Sequence, residues 1–192
     1  MRYPLLAAIL CLPLAACATK LVSTVSSPAA PSPATRAELI ALALQDAAAA
    51  DAAGDAEGLG RALRVVDAAG ARPIEPAGED PVPAWRTRAA DAEPPLRGRP
   101  LGPGYRSGRI AAGGRDSFAQ LFLSGTASTI AISAPSGDRV ALSVLDKDAK
   151  PVCKREGTRG GACRWVPLFT QRYTIEVQNL GASDARYFLV IE

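Results

Sequence analysis

The chain contains no histidine. The imidazole that most often serves as base to a serine or cysteine nucleophile is therefore missing, and so is the commonest nitrogen ligand of zinc. A Ser-Lys pair is the nucleophilic arrangement that remains. Its lysines would be Lys20, in a Ser/Pro/Ala-rich stretch, or Lys147, Lys150 and Lys154, near turn sequences, where no desolvation would lower an amine pKa. Most aspartates and glutamates fall in helical, linker or turn sequence, where solvation or capping accounts for them better than paired carboxylates for sugar hydrolysis. Neither enzymatic activity nor a cofactor is expected. Aromatic residues are scarce at 5%, and the net charge is only +3, with arginines dispersed among acids rather than gathered into the basic stripe that nucleic-acid binding needs. The apolar run that follows Met1 is interrupted by Pro4 and Pro13. It spans about half of the roughly 20 residues a membrane crossing takes, so it does not read as a transmembrane helix.

That run has instead the layout of an export signal. Arg2 supplies a positive start, Leu5 to Leu14 an apolar middle, and Ala15-Ala16 the small residues before a cleavage point. Cys17 follows directly. Leu14-Ala15-Ala16-Cys17 resembles the lipobox of bacterial lipoproteins. The resemblance implies that the chain is cut before Cys17, that the Cys17 thiol is diacylated, and that the new amine is acylated. At roughly 0.8 kcal/mol per buried methylene, three acyl chains would hold the protein on the membrane without measurable release. It also implies a lipid-anchored protein of the bacterial cell envelope. Ala18 stands where aspartate would signal inner-membrane retention in enteric-type bacteria, which favours the outer membrane; a periplasm-facing orientation is expected. A secreted chain without lipid is the alternative. Removing residues 1–16 takes 16 of 192 residues and leaves 176, and the loss of Arg2 lowers the charge from +3 to +2.

Four cysteines are present. Cys11 leaves with the signal peptide and Cys17 is taken by lipid, so Cys153 and Cys163 remain. In an exported chain this even pair reads first as a disulfide, worth about 2.5 to 3 kcal/mol by the loop-closure estimate for so short a loop. A metal site is the rival reading, and it would need further ligands in a chain without histidine.

Residues 17–34, rich in Ser, Pro and Ala, read as a flexible tether that fully extended would reach roughly 60 Å. Thr35-Arg36-Ala37-Glu38 matches a capping box, and Leu39, Ile40, Ala43, Leu44 and Ala47 recur at helical spacing. Gly54 should end that helix and Asp55 should cap a second, with Leu59, Leu63 and Val66 on one face. Residues 35–70 are thus a helical hairpin whose apolar stripe must pack on something, either its own β-domain or another protein. Residues 71–104 carry eight of the sixteen prolines and read as a long linker, in which Trp85 suggests local docking. The run from Gly102 to Gly108 has Pro103 near its start and no strand before it, so it reads as a turn rather than a nucleotide loop.

From Tyr105 the period changes to two. Ile130 and Ile132, then Val140, Leu142 and Val144, then Tyr173, Ile175 and Val177 alternate with small or polar residues, and Phe118, Phe122, Trp165, Tyr187, Leu189 and Ile191 mark further strands. Seven or eight short strands between turn clusters indicate a mainly β fold. The expected architecture is an antiparallel β-sandwich, jelly-roll or immunoglobulin-like, over residues 105–192, with Cys153 and Cys163 clamping neighbouring strands. The segments Phe118-Ala119-Gln120-Leu121-Phe122-Leu123-Ser124-Gly125, Val140-Ala141-Leu142-Ser143-Val144-Leu145-Asp146 and Tyr173-Thr174-Ile175-Glu176-Val177-Gln178-Asn179-Leu180-Gly181, with Tyr187-Phe188-Leu189-Val190, resemble the bacterial pre-peptidase C-terminal type of β-sandwich. The resemblance implies an envelope or secreted module with roles in secretion, adhesion or polymer binding. This chain lacks a protease domain, and its Asp146-Lys147-Asp148-Ala149-Lys150 turn carries two lysines that offset the acids a calcium ion would need.

The function expected from these readings is that of a scaffold or accessory subunit, recruiting a protein partner in the envelope through the hairpin or a sheet edge. The alternative is binding of a glycan or cell-wall polymer by the sandwich, for which Trp85, Tyr105 and Trp165 are the candidate rings. Residues 105–192 are expected to fold without the preceding segments.

Overall fold

The computed structural model describes residues 34–74, 79–90, 102–135, 137–157 and 161–192. The lipobox, Cys17 and almost all of the tether lie outside them. The first helix, α1 (Arg36–Ala53), starts at the expected capping box: the Thr35 hydroxyl accepts from the Glu38 amide, and the Glu38 carboxylate accepts from the Thr35 amide at 2.8 Å. Gly54, at φ 69°, takes the left-handed conformation that closes α1, and its amide donates to the last carbonyls of the helix. Asp55 then caps α2 (Ala56–Ala68), accepting from the Gly58 amide at 2.8 Å.

The next elements are a two-residue strand, β1 (Arg72–Pro73), and a short helix, α3 (Val82–Arg86). Eight strands follow: β2 (Gly104–Ile110), β3 (Arg115–Phe122), β4 (Ser128–Ser133), β5 (Val140–Leu145), β6 (Pro151–Gly157), β7 (Gly161–Trp165), β8 (Gln171–Asn179) and β9 (Ala185–Ile191). They form two sheets, ordered β1-β2-β9-β4-β7 and β3-β8-β5-β6, with every pairing antiparallel except the short one between β1 and β2. The pairs nest: β2 with β9, β3 with β8, β4 with β7, β5 with β6. That nesting is the jelly-roll arrangement of a β-sandwich, and it settles the choice left open by the sequence.

Two cores result. Between the sheets lie Ile130, Ile132, Leu142, Val144, Ile175, Val177, Tyr187 and Leu189. On the opposite face of the first sheet, Ala131, Ala162, Phe188 and Val190 meet Ile40, Leu44, Leu59, Leu63 and Val66 of the helices, together with Val82 and Trp85. The alanines of α1 let it lie close across β4 and β9, and the Ser133 hydroxyl donates to the Ala41 carbonyl at 2.5 Å. The hairpin therefore docks on its own sandwich. Consequently β4 and β9 are buried on both faces instead of one.

Two local expectations are corrected. The run from Gly102 to Gly108 is not a turn: from Gly104 it is strand β2, because its backbone pairs with the whole of β9 from Gly104↔Ile191 to Ile110↔Ala185. Within the stretch read as linker, α3 is clipped to both long helices. The Trp85 indole donates to Asp51 at 3.1 Å, Arg88 pairs with Asp51 at 2.6 Å, and Arg86 makes a two-point pair with Asp67. Trp85 is 1% exposed, which is the docking its apolar ring suggested.

Candidate functional site

Cys153 of β6 and Cys163 of β7 form a disulfide with their Cα atoms 5.7 Å apart. These strands are edge strands of different sheets, so the bond clasps the two layers together at one side of the sandwich rather than joining neighbours within a sheet. The other side is closed by polar groups. Tyr187 of β9 donates to Asp116 of β3, and Arg106 of β2 reaches the Tyr187 oxygen and Asp116 at 3.2 Å each while lying 4.8 Å from the centre of the Phe118 ring. Burial, reinforced by Asp116, pushes the Tyr187 phenol well above its ordinary range. Tyr187 is thereby held as a hydrogen-bond donor to Asp116.

The rings considered for sugar stacking are elsewhere engaged. Trp85 packs against Phe188, Tyr105 is buried and donates to Asp80 at 3.1 Å, and Trp165 is half-buried against Phe122 and Tyr173. Phe169 is the exposed ring among the described residues. The acidic turn closes on itself: Asp146 accepts from the amides of Asp148 and Lys150, both at 2.9 Å, and Lys147 lies 2.9 Å from Asp148.

Two ends of the sandwich differ sharply. At the end where β2 and β4 finish and β9 begins, a groove of about 530 Å³ opens between α1 and the strand-connecting loops. Asp46, Asp138, Asp184, Arg109 and Arg186 line it, together with Ala48, Ala49 and Ala52 of α1. The Asp138 carboxylate accepts from the Arg186 amide at 3.0 Å, which fixes the loop after β4 against the start of β9. Gln45 also lines the groove; it is 9% exposed, and its side-chain oxygen has no hydrogen-bond partner.

At the opposite end, residues 123–127 and 166–170 are joined loop to loop. The Gly125 amide donates to the Pro167 carbonyl at 2.9 Å, the Ser124 amide to the Thr170 hydroxyl at 3.0 Å, and the Ser124 hydroxyl to the Leu168 carbonyl at 2.8 Å. Leu121, Leu123, Val166, Leu168 and Phe169 are exposed there, Leu168 by 80% and Phe169 by 70%.

No family model matches this chain, and no curated protein does. Solved structures resemble the sandwich. One is the pre-peptidase C-terminal domain of a collagenase from Bacillus anthracis, at 12% identity over 46% of this chain and 87% of that one, with a TM-score of 0.41. Another is PliG, a periplasmic inhibitor of g-type lysozyme from Aeromonas hydrophila, at 12% identity over 47% and 84%, with a TM-score of 0.38. A third is the C-terminal CBM6 of the laminarinase LamC from Zobellia galactanivorans, at 14% identity over 43% and 74%, with a TM-score of 0.30. Each covers less than half of this chain, and none bears on the groove or the apolar loops.

Neither end was anticipated residue by residue. The clusters around Pro135 and Asn179 are legible as turns, but which charges they bring together depends on the nesting of the strands. Gln45, an amide in an otherwise alanine- and leucine-rich helix, is the local signal for the groove. Leu168-Phe169, an apolar pair beside Pro167 and between strands, is the local signal for the loops.

Proposed function

We propose that this chain is a non-enzymatic, lipid-anchored protein of the bacterial cell envelope that serves as a scaffold or accessory subunit, and that it holds a polar segment of a protein partner in the groove beside α1. The groove carries the proposal. It is lined by three aspartates and two arginines, a mixed-sign lining that suits the alternating donors and acceptors of a peptide. Among the described residues no aromatic ring lines it, so they offer no stacking surface of the kind on which sugar binding usually relies. The histidine-free composition supports a binding role over a catalytic one. Membrane attachment rests on the lipobox at Leu14-Ala15-Ala16-Cys17.

The test is co-purification of the tagged full-length chain after mild detergent extraction, for wild type and for a double charge reversal, Asp46→Lys with Asp184→Lys. Wild type should bring down a stoichiometric protein that the double variant loses by at least about tenfold, the effect of some 1.4 kcal/mol, while circular dichroism and melting temperature stay unchanged. Retention on purified peptidoglycan with no protein partner would overturn the proposal in favour of cell-wall polymer binding.

A further inference from the structure

We infer that the joined loops at residues 123–127 and 166–170, with Leu121 at their edge, are a membrane-contacting tip that seats in the interface of the bilayer to which the chain is anchored. The inference rests on the lipid-anchor reading of Cys17. Three observations point to a lipid surface as the occupant. The first is position. Arg36, at the start of α1, pairs with Glu192 at the end of β9, and Glu38 pairs with Arg164 of β7, one residue from Trp165 where the apolar loop begins. The folded chain therefore starts at the same end as the tip. Residues 17–33 can separate it from Cys17 by at most about 60 Å, which keeps the tip at high local concentration beside the membrane.

The second is charge. Residues 119–130 and 163–175, which include both loops and their flanks, contain no aspartate or glutamate; their charged residues are Arg164 and Arg172. Arg172 is exposed and stands opposite Leu121 across β3 and β8. Arg164 is taken by Glu38 at 2.7 Å, so it is the Arg172 guanidinium beside the apolar projection that matches anionic phospholipid headgroups above acyl chains. The third is shape. The apolar side chains project from hydrogen-bonded turns rather than from a flat sheet face, and Leu168 and Phe169 are the most exposed large apolar residues among those described. Since the groove lies at the far end of the strands, a seated tip would hold the groove away from the bilayer, toward soluble partners.

The experiment is amide hydrogen exchange on the full mature chain in vesicles of phosphatidylethanolamine and phosphatidylglycerol free of other protein. The references are the Cys17→Ser chain in solution and a Leu168→Ser, Phe169→Ser double variant in the same vesicles. Residues 123–127 and 166–170 should exchange about tenfold more slowly in the vesicle-bound chain than in solution, and the double variant, still attached through Cys17, should lose that slowing. The same peptide map reads the acyl mass on Cys17. An acylated chain whose tip exchanges as fast as in solution overturns the inference and leaves the anchor standing, as does slowing that the double variant keeps. A chain without acyl mass overturns the anchor, and the inference with it.

Discussion

Glu38 ties three parts of the molecule through one carboxylate oxygen. It accepts from the Thr35 amide at 2.8 Å, from the Thr35 hydroxyl at 2.6 Å and from Arg164 of β7 at 2.7 Å. The cap of α1 and the docking of α1 on the sheet are thus one interaction. Burial opposes ionisation of Glu38, but the Thr35 hydrogen bonds and the Arg164 guanidinium outweigh it and hold its pKa below the ordinary 4.5. A carboxylate depressed on folding stabilises the fold above its unfolded value, and that contribution is lost as pH falls from there through the folded value. Glu38→Gln should therefore be less stable than wild type near neutrality, by about 1 kcal/mol given the partial exposure of the pair. The two stability curves should converge below pH 4.5. Urea melts from about pH 7 to pH 3 check this; a gap that stays constant with pH would show that the loss comes from packing rather than charge.

At the scale of elements, local chemistry was readable and long-range pairing was not. The capping box at Thr35, the left-handed Gly54 and the Asp55 cap depend on residues three or four apart, and the sequence carries them whole. The strands at Ile130, Val140 and Tyr173 were legible by period two. The uninterrupted run Tyr187-Phe188-Leu189-Val190-Ile191 also states, by its lack of alternation, that β9 is covered on both faces; a half-buried reading passed over that signal. The nesting of β2 with β9 and β3 with β8 leaves no mark in either strand alone. It explains why Gly104 to Gly108 resembled a turn and why the groove charges, drawn from α1, β2, β9 and two loops, are scattered along the sequence. The disulfide shows the same limit: the pair was readable, its bridging of two sheets was not. Cys153→Ala with Cys163→Ala should leave the strand signal in far-ultraviolet circular dichroism intact. It should lower stability by about 2.5 to 3 kcal/mol, the chain-entropy value for a separation of 10 residues, read as a fall in the urea midpoint at unchanged slope. Loss of the strand signal would mean that the clasp is required to form the second sheet at all.

For the molecule as a whole, the helices are a third layer rather than an appendage, and Pro33–Glu192 is one compact unit. The expectation that residues 105–192 fold alone conflicts with what lies under α1 and α2. Phe188, Val190, Ala131 and Ala162 are fully or nearly fully buried, and Tyr105 is 4% exposed, through contact with Ile40, Leu44, Leu59, Val82 and Trp85 rather than with the other sheet. Removing the helical layer would expose the whole outer face of the first sheet, including two large rings, and apolar area returned to water costs roughly 25 cal/mol per Å². A folded monomer with that face bare would present an apolar patch of a size that soluble proteins cover. The fragment of residues 105–192 should therefore self-associate and bind a hydrophobic dye, with no sharp thermal transition, whereas the mature chain should show one calorimetric transition whose van't Hoff and calorimetric enthalpies agree. Two separated transitions in the mature chain, or a monomeric fragment that melts cooperatively at the same temperature, would show that the helices rest on a sandwich already complete without them.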